Sequence, residues 1–190
     1  MWMYLALASL SVTLHVSDPY PTPKNPNGYA LSSCSGVFIG PDLILTANHC
    51  ISDSRGRQWI KTAEGISYSV SIVKGNKYKD LALLRVIASR PINHAYAQLG
   101  TPAVITQDVF TVNSGKGFVQ TYARGYVANL IADPDHGTGS ILHTAPIMGG
   151  ASGSGLFDNR GRLIGINTAT FPAFSVAVDL TEIQSFLNKN

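Results

Sequence analysis

Short apolar runs separated by turn-forming residues recur along the whole sequence of 190 residues. The runs are rich in Val, Ile, Leu and aromatic side chains, and Gly, Pro, Asn or Asp stand between them. This pattern is typical of β-strands joined by turns. The clearest runs are residues 37–39, 43–45, 68–73, 81–87, 109–112, 118–130, 140–145, 163–168 and 175–178. Strands this short and this numerous, unbroken by long helices, predict an all-β protein built as a barrel or a sandwich.

The beginning of the chain is apolar and becomes strictly alternating from Leu10 onward. Leu10, Val12, Leu14 and Val16 are separated by polar residues, which predicts a half-buried strand. No Lys or Arg precedes the apolar start, which argues against a cleaved export signal. We therefore expect a first strand here, and an export signal that overlaps this strand remains an alternative.

A single helix is expected, at the end of the chain. Asp179 and Glu182 have the spacing of a helix N-cap and its reciprocal partner. Ile183, Phe186 and Leu187 follow at i, i+3 and i+4, the spacing of one apolar helix face.

Near the midpoint, the turn-rich stretch 90–102 is the best candidate for a boundary between domains. We expect two domains of similar size, residues 1–93 and 94–190.

Composition and charge exclude several classes of protein. The chain is 45% hydrophobic and only 13% charged, which excludes a disordered protein. The formal net charge is +3, and only Lys74, Lys77 and Lys79 lie close together, so we expect no nucleic-acid partner. No run of about 18 apolar residues occurs, so no helix is expected to span a membrane.

Three local patterns carry residue types that serve nucleophilic catalysis. His49 follows the apolar run 43–45, Asp80 precedes the run 81–87, and Ser152 lies in the segment Gly-Gly-Ala-Ser-Gly-Ser-Gly. A serine hydroxyl is a poor nucleophile until an imidazole takes its proton, and a carboxylate fixes the tautomer of that imidazole. Each pattern alone also occurs in ordinary cores and turns, whereas the three together favour a catalytic site.

In this order, the three patterns resemble those of the chymotrypsin-like serine peptidases, especially the bacterial glutamyl endopeptidases and HtrA-type proteases. The resemblance covers roughly residues 10–188. It implies two six-stranded antiparallel β-barrels and a C-terminal helix, with His49 and Asp80 in the first barrel and Ser152 in the second. It also implies a serine endopeptidase that acts on protein or peptide substrates as a monomer, without a cofactor or a metal.

The resemblance assigns a role to each candidate catalytic residue. Ser152 is the expected nucleophile, His49 the general base and later acid, and Asp80 the residue that orients His49. The backbone N–H groups of Gly150 and Ser152 are expected to form the oxyanion hole, and the N–H of Ala151 to help shape it. Ala151 also stands where trypsin-type enzymes carry the Asp that pairs with a freed N-terminus, so no trypsin-style activation is expected.

The sequence features also bear on functions other than a serine peptidase. An α/β-hydrolase needs a catalytic His after its nucleophile, and no His follows Ser152. A catalytically silent homologue that uses the barrels to bind protein remains the alternative, although all three catalytic residue types are present. A nucleic-acid binder would rest on the small positive charge alone.

The family resemblance implies a disulfide between Cys34 and Cys50. In chymotrypsin-like enzymes the residue after the catalytic His is bonded to a Cys 16 residues earlier, and these two cysteines have that separation. Such a bond would hold the loop that carries His49, whereas two reduced cysteines are the alternative. Disulfides persist in oxidising compartments, so we expect a secreted or periplasmic protein.

The expected specificity is for a small or medium uncharged residue before the scissile bond. Pro146 stands where trypsin-like enzymes carry an Asp, and Asn167 stands where glutamyl endopeptidases carry a His. Neither offers a charge to a substrate side chain. The substrate-binding residues implied by the resemblance are Pro146, Ile147, Asn167, Thr168, Ala169 and Thr170, with Phe171 and Phe174 expected to narrow the pocket.

Overall fold

The strands of the protein close into two antiparallel barrels. The computed structural model describes residues 2–18, 30–51, 56–117, 120–132 and 139–189. Within these residues the first barrel has the strand order β1-β2-β3-β6-β5-β4. Its strands are β1 (Ser11–Asp18), β2 (Ala30–Phe38), β3 (Leu43–Thr46), β4 (Gln58–Lys61), β5 (Ser67–Asn76) and β6 (Leu81–Ile87).

The second barrel has the strand order β10-β11-β12-β9-β8-β7. Its strands are β7 (Asp108–Asn113), β8 (Thr121–Ala132), β9 (Gly139–His143), β10 (Gly155–Phe157), β11 (Leu163–Thr170) and β12 (Ser175–Asp179). The predicted fold class, two six-stranded antiparallel barrels with a C-terminal helix, is confirmed. The beginning of the predicted run 118–130 lies outside the described residues.

Three apolar cores hold this arrangement together. One fills the first barrel around Phe38 and Ile44, and another fills the second barrel around Val109 and Ile141. A third joins the two barrels, since it combines residues of both with residues of two helices. It contains Leu7, Val37, Leu45, Leu81, Phe110, Val112, Phe157, Leu163, Ile183 and Phe186.

The helix α1 (Trp2–Leu10) corrects the expectation of a single, C-terminal helix. The alternating strand begins at Ser11, and Leu10 belongs to the helix instead. The helical segment is apolar on nearly all sides and therefore lacks the periodicity that predicts an amphipathic helix. Leu7 is buried in the core between the barrels, so tertiary packing stabilises α1.

The helix α2 (Leu180–Asn188) begins as the sequence predicts, because the Asp179 carboxylate accepts a hydrogen bond from Glu182 N at 2.9 Å. Two lysines of the first barrel hold this helix of the second half. Lys79 pairs with Glu182, and Lys74 Nζ donates to the carbonyl oxygen of Leu187 at 3.1 Å. Among the described residues, no helix has both the length and the apolar character needed to cross a bilayer.

The segment 88–107 connects the barrels and contacts both. Ala97 N donates to Phe38 O in the first barrel, and Gly100 N donates to Leu163 O in the second, each at 2.8 Å. The proposed domain boundary between residues 93 and 94 lies within this segment.

Candidate active site

His49 and Asp80 are brought together by the pairing of β3 with β6. Thr46, at the end of β3, lies opposite Ala82 near the start of β6. His49 follows in a short 3₁₀ turn, and Asp80 precedes β6 with a φ of 49°. The N–H of Asn48 donates to the carbonyl oxygen of Asp80 at 3.1 Å, which joins the two loops directly.

Both carboxylate oxygens of Asp80 bind His49. The backbone N–H of His49 donates to Oδ1 at 2.8 Å, and its ring nitrogen Nδ1 lies 2.7 Å from Oδ2. An ionised carboxylate only accepts hydrogen bonds, so Nδ1 carries the proton and Nε2 of the neutral ring is the proton acceptor. The His49 side chain is 48% exposed and that of Asp80 17%, so the carboxylate is the more protected partner.

The pKa of His49 is raised above its ordinary value of 6.5. The hydrogen bond that the ring donates to Asp80 is the largest cause, and the negative charge of Asp80 adds to it. Partial burial acts in the opposite direction, because it disfavours the charged ring. The imidazole is therefore more basic than a free histidine while its Nε2 remains available.

Ser152 lies in the loop between β9 and β10, and this loop packs against the first barrel beside His49. Ser35 N, on β2, donates to the carbonyl oxygen of Ser152 at 2.8 Å. The Sγ atom of Cys50, the residue after His49, lies 3.8 Å from the same oxygen. Gly153 has a φ of 86°, and a Cβ there would lie 2.2 Å from Ser35 O. Only glycine permits this approach.

The hydroxyl of Ser152 donates to the carbonyl oxygen of Thr168 at 3.3 Å. A β-bulge in β11, between Asn167 and Ala169, makes Thr168 the additional residue of its strand. Bulges near active sites change the direction of backbone groups. Among the described residues the hydroxyl makes no hydrogen bond to His49.

The loop around the predicted oxyanion hole is held from several sides. The Ser35 hydroxyl donates to Gly150 O at 3.0 Å, and Ala151 N donates to Met148 O at 2.9 Å. The N–H groups of Gly150 and Ser152 have no acceptor within the described part of the chain. The Ala151 N–H is thus hydrogen-bonded within the loop, whereas the N–H groups of Gly150 and Ser152, the predicted oxyanion-hole donors, are not bonded to any described residue.

The structure contains the predicted disulfide between Cys34 and Cys50. It connects β2 to the turn that carries His49. The two sulfur atoms and a ring nitrogen of His49 lie within 4.8 Å of one another. Since both sulfurs are bonded to each other, neither is available as a thiolate ligand for a metal.

An open depression of about 180 Å³ includes three of the six predicted substrate-binding residues in its lining. Residues of the loop after β9 and of the β11–β12 connection line it, and none of them is charged. The lining residues are Thr144, Pro146, Ile147, Thr170, Phe171, Pro172, Ala173, Phe174 and Ser175. Pro146, Ile147 and Thr170, three of the predicted substrate-binding residues, therefore surround one cavity.

The other predicted substrate-binding residues lie elsewhere. Thr168 contributes its carbonyl oxygen beside Ser152, and Ala169 is exposed on the same strand. Asn167 is fully buried and contacts other side chains of the second barrel instead of the depression. Its contact with substrate remains a prediction.

Ser35 and His143 are two residues of the site region that sequence reasoning missed. Ser35 is fully buried and contacts the nucleophile loop, and His143 is fully buried beside Asn167. Burial lowers the pKa of His143 to about 4, although its hydrogen bond with Asn167 acts in the opposite direction. No local pattern indicates either contact, because the partners lie 115 and 24 residues away.

Known proteins resemble this chain in sequence. Residues 34–166 match the family described as the trypsin-like peptidase domain. The anti-sigma-I factor RsgI9 of Acetivibrio thermocellus is 32% identical over 148 residues, which are 76% of this chain and 20% of that protein. A probable periplasmic serine endoprotease, DegP-like, of Rickettsia conorii is 26% identical over 172 residues, or 87% of this chain and 33% of that protein.

A DegP-like protein of the same description from Bartonella henselae is 31% identical over 144 residues, 72% of this chain and 28% of that protein. The chain thus spans about a fifth to a third of the length of these relatives. The family resemblance expected from the motifs is confirmed. Since the family match covers more than half of the chain, this protein belongs to the family of trypsin-like peptidases.

Proposed function

We propose that this chain is a serine endopeptidase in which Ser152, His49 and Asp80 form the catalytic triad. The observation that carries the proposal is the two-point attachment of His49 to Asp80, beside the loop of Ser152. That attachment fixes the ring orientation and leaves Nε2 as the base. Membership in a family of peptidases supports the same activity.

The reaction begins when the Ser152 hydroxyl leaves the Thr168 carbonyl and gives its proton to His49 Nε2. Its Oγ attacks the substrate carbonyl carbon, and the resulting oxyanion accepts hydrogen bonds from the N–H groups of Gly150 and Ser152. His49 then donates the proton to the leaving amine as the C–N bond breaks, and an acyl-enzyme forms. A water molecule, deprotonated by His49, attacks the ester; the bond between Oγ and the acyl carbon breaks, and His49 returns the proton to Ser152 Oγ.

The uncharged depression lined in part by Pro146, Ile147 and Thr170 supports cleavage after a small or medium uncharged residue. Phe171 is 60% exposed and Phe174 39%, and both line the cavity, which restricts its width. Peptides with Val, Ala or Leu before the scissile bond should be cleaved faster than peptides with Arg, Lys or Glu. A clear preference for a charged residue in a peptide library would contradict this specificity.

We further propose a monomer in a secreted or periplasmic location. All three proposed catalytic groups belong to one chain, so a second copy is not needed to complete the site. The disulfide is compatible with an oxidising compartment, and several relatives are named as periplasmic.

The alternative function is a catalytically silent homologue that binds protein. The observation in its favour is that Ser152 donates to Thr168 instead of His49. Catalytic hydrogen bonds are often absent or poorly aligned before substrate binds, so this observation does not outweigh the arrangement of His49 and Asp80.

A fluorophosphonate probe separates the two functions, since it reacts only with an activated serine. We expect stoichiometric labelling of the folded chain and none of the Ser152→Ala variant. The Ser154→Ala variant controls for the second serine of the loop: it should still reach stoichiometric labelling, because Ser152 is present, but at a lower rate, because Ser154 Oγ accepts from Asn167 Nδ2. Folded wild-type protein that stays unlabelled would favour the binding function.

A further inference from the structure

Asn167 is bonded to the nucleophile loop through its backbone and its side chain. Its carbonyl oxygen accepts from Gly153 N at 2.7 Å, and its N–H donates to Ser154 O at 2.9 Å. Its side-chain Nδ2 donates to Ser154 Oγ at 2.8 Å. The two residues that follow Ser152 are therefore held by three hydrogen bonds to one buried asparagine.

The orientation of the Asn167 amide is determined by its remaining partners. Its Nδ2 also donates to Thr111 Oγ1 at 3.0 Å, so both amide hydrogens are used on that side. The amide oxygen therefore faces His143, whose Nε2 lies 2.8 Å away. Because an amide oxygen only accepts, His143 donates through Nε2–H.

The same arrangement explains why Nδ1, the other ring nitrogen of His143, can be buried without a hydrogen-bond partner. Its Nδ1 is buried without a hydrogen-bond partner among the described residues. With the proton on Nε2, the partnerless Nδ1 is a bare acceptor, which costs less than a buried N–H without a partner. Full burial also excludes His143 as a proton acceptor for substrate.

We propose that Asn167 is a positioning residue for Ser152, and that His143 holds the Asn167 amide in the orientation that binds Ser154. This inference rests on the proposed function and assigns Asn167 a role different from substrate binding. The same strand carries the bulge that directs the Thr168 carbonyl toward Ser152. Asn167 and the bulge residue Thr168 thus both contact the loop that carries the nucleophile.

The test compares folded variants by their rate of reaction with the fluorophosphonate probe and by kcat and KM for a peptide substrate. Asn167→Leu removes the amide at similar volume, and His143→Leu removes only the donor to it. Misplacement of a reacting group by about 1 Å costs on the order of 10²-fold in rate. We expect a loss of that order for Asn167→Leu, in kcat and in probe reaction, with KM little changed.

Two further variants distinguish positioning from a general role in folding. His143→Gln retains an N–H near the position of Nε2, so it should restore most of the rate that His143→Leu loses. Val109→Ala opens a cavity in the same barrel core without touching the hydrogen bonds of Asn167. It should lower stability while its folded fraction reacts at the wild-type rate.

The inference is overturned if folded Asn167→Leu and His143→Leu react as fast as wild type. It is also overturned if His143→Gln is as slow as His143→Leu, or if Val109→Ala slows the folded enzyme equally. If Asn167→Leu fails to fold, the comparison of His143→Leu with His143→Gln tests the inference by itself. Wild-type protein that does not react would instead contradict the proposed function, and the positioning role with it.

Discussion

The backbone N–H of Ser35 in the first barrel donates to the carbonyl oxygen of Ser152 in the second, at 2.8 Å. The hydroxyl of Ser35 adds two more contacts across the same boundary. It donates to Gly150 O at 3.0 Å and accepts from Ser114 N at 2.9 Å. One buried serine thus binds the proposed nucleophile loop to the barrel that carries His49.

Ser35→Ala should lower the free energy of unfolding. The substitution leaves Gly150 O and Ser114 N without their buried partner, which costs about 1–3 kcal/mol. Urea denaturation measures the loss, and probe labelling of the folded variant should also be slower. Ser32→Ala, at an exposed position of the same strand, is the control and should change stability little. Equal stabilities of the two variants would contradict this role of Ser35.

Gly153→Ala should destabilise the nucleophile loop severely. Its φ of 86° disfavours a side chain, and a Cβ would lie 2.2 Å from both Ser35 O and Thr46 Oγ1. Gly149→Ala is a matched control in the same loop, because nothing lies within 4 Å of its Cβ position. Thermal unfolding should separate the variants clearly, and similar transition temperatures would contradict the close approach of the barrels at Gly153.

Asp80→Asn should leave the fold intact and greatly lower activity. Asn tolerates the φ of 49° at this position better than most residues do. Its amide no longer selects the His49 tautomer with a bare Nε2, which in a triad of this kind lowers kcat by a factor on the order of 10⁴. Steady-state kinetics measures the loss of kcat, and circular dichroism shows whether the fold is intact. A fully active variant would exclude Asp80 from the triad.

The activity should rise with pH as His49 loses its proton. Only the neutral ring accepts the Ser152 proton, and the raised pKa of His49 places this rise above the ordinary value of 6.5. In Asp80→Asn the main cause of the raised pKa is absent, so the rise of the residual activity should shift to lower pH. A pH–rate profile of kcat/KM that is flat between pH 5 and 9 would contradict a histidine base.

Stability should fall as the pH is lowered from about 6.5 toward 4, partly because of His143. Burial lowers its pKa to about 4, so in this range the unfolded chain binds a proton that the folded chain does not. The difference between the unfolded pKa of 6.5 and the folded pKa of about 4 corresponds to a loss of about 3 kcal/mol in the free energy of unfolding, complete once the pH is below both pKa values. Urea denaturation of His143→Gln should therefore give a flatter dependence on pH than wild type, and identical profiles would contradict the buried neutral ring.

Much of the fold could be predicted because its signals are local. The short apolar runs and their turns indicated most strands of both barrels, and the pair Asp179 and Glu182 indicated the start of α2. The strand β4 begins and ends with a polar residue, Gln58 and Lys61, and β10 contains only three residues, so neither stands out as an apolar run. The helix α1 is apolar throughout and therefore gave no helical period either.

The sequence alone determined the chemical groups of the candidate site, because a histidine and an aspartate beside apolar runs, followed by a serine in a glycine-rich segment, are local properties of the chain. The tertiary structure decided how the groups are held. Ser35 lies 115 residues from Gly150, and His143 on β9 meets Asn167 on β11 although β12 lies between these two strands, so neither contact leaves a local pattern. The tertiary structure decided these contacts because they form only where two closed barrels pack together and where a closed barrel buries polar side chains of non-adjacent strands against each other.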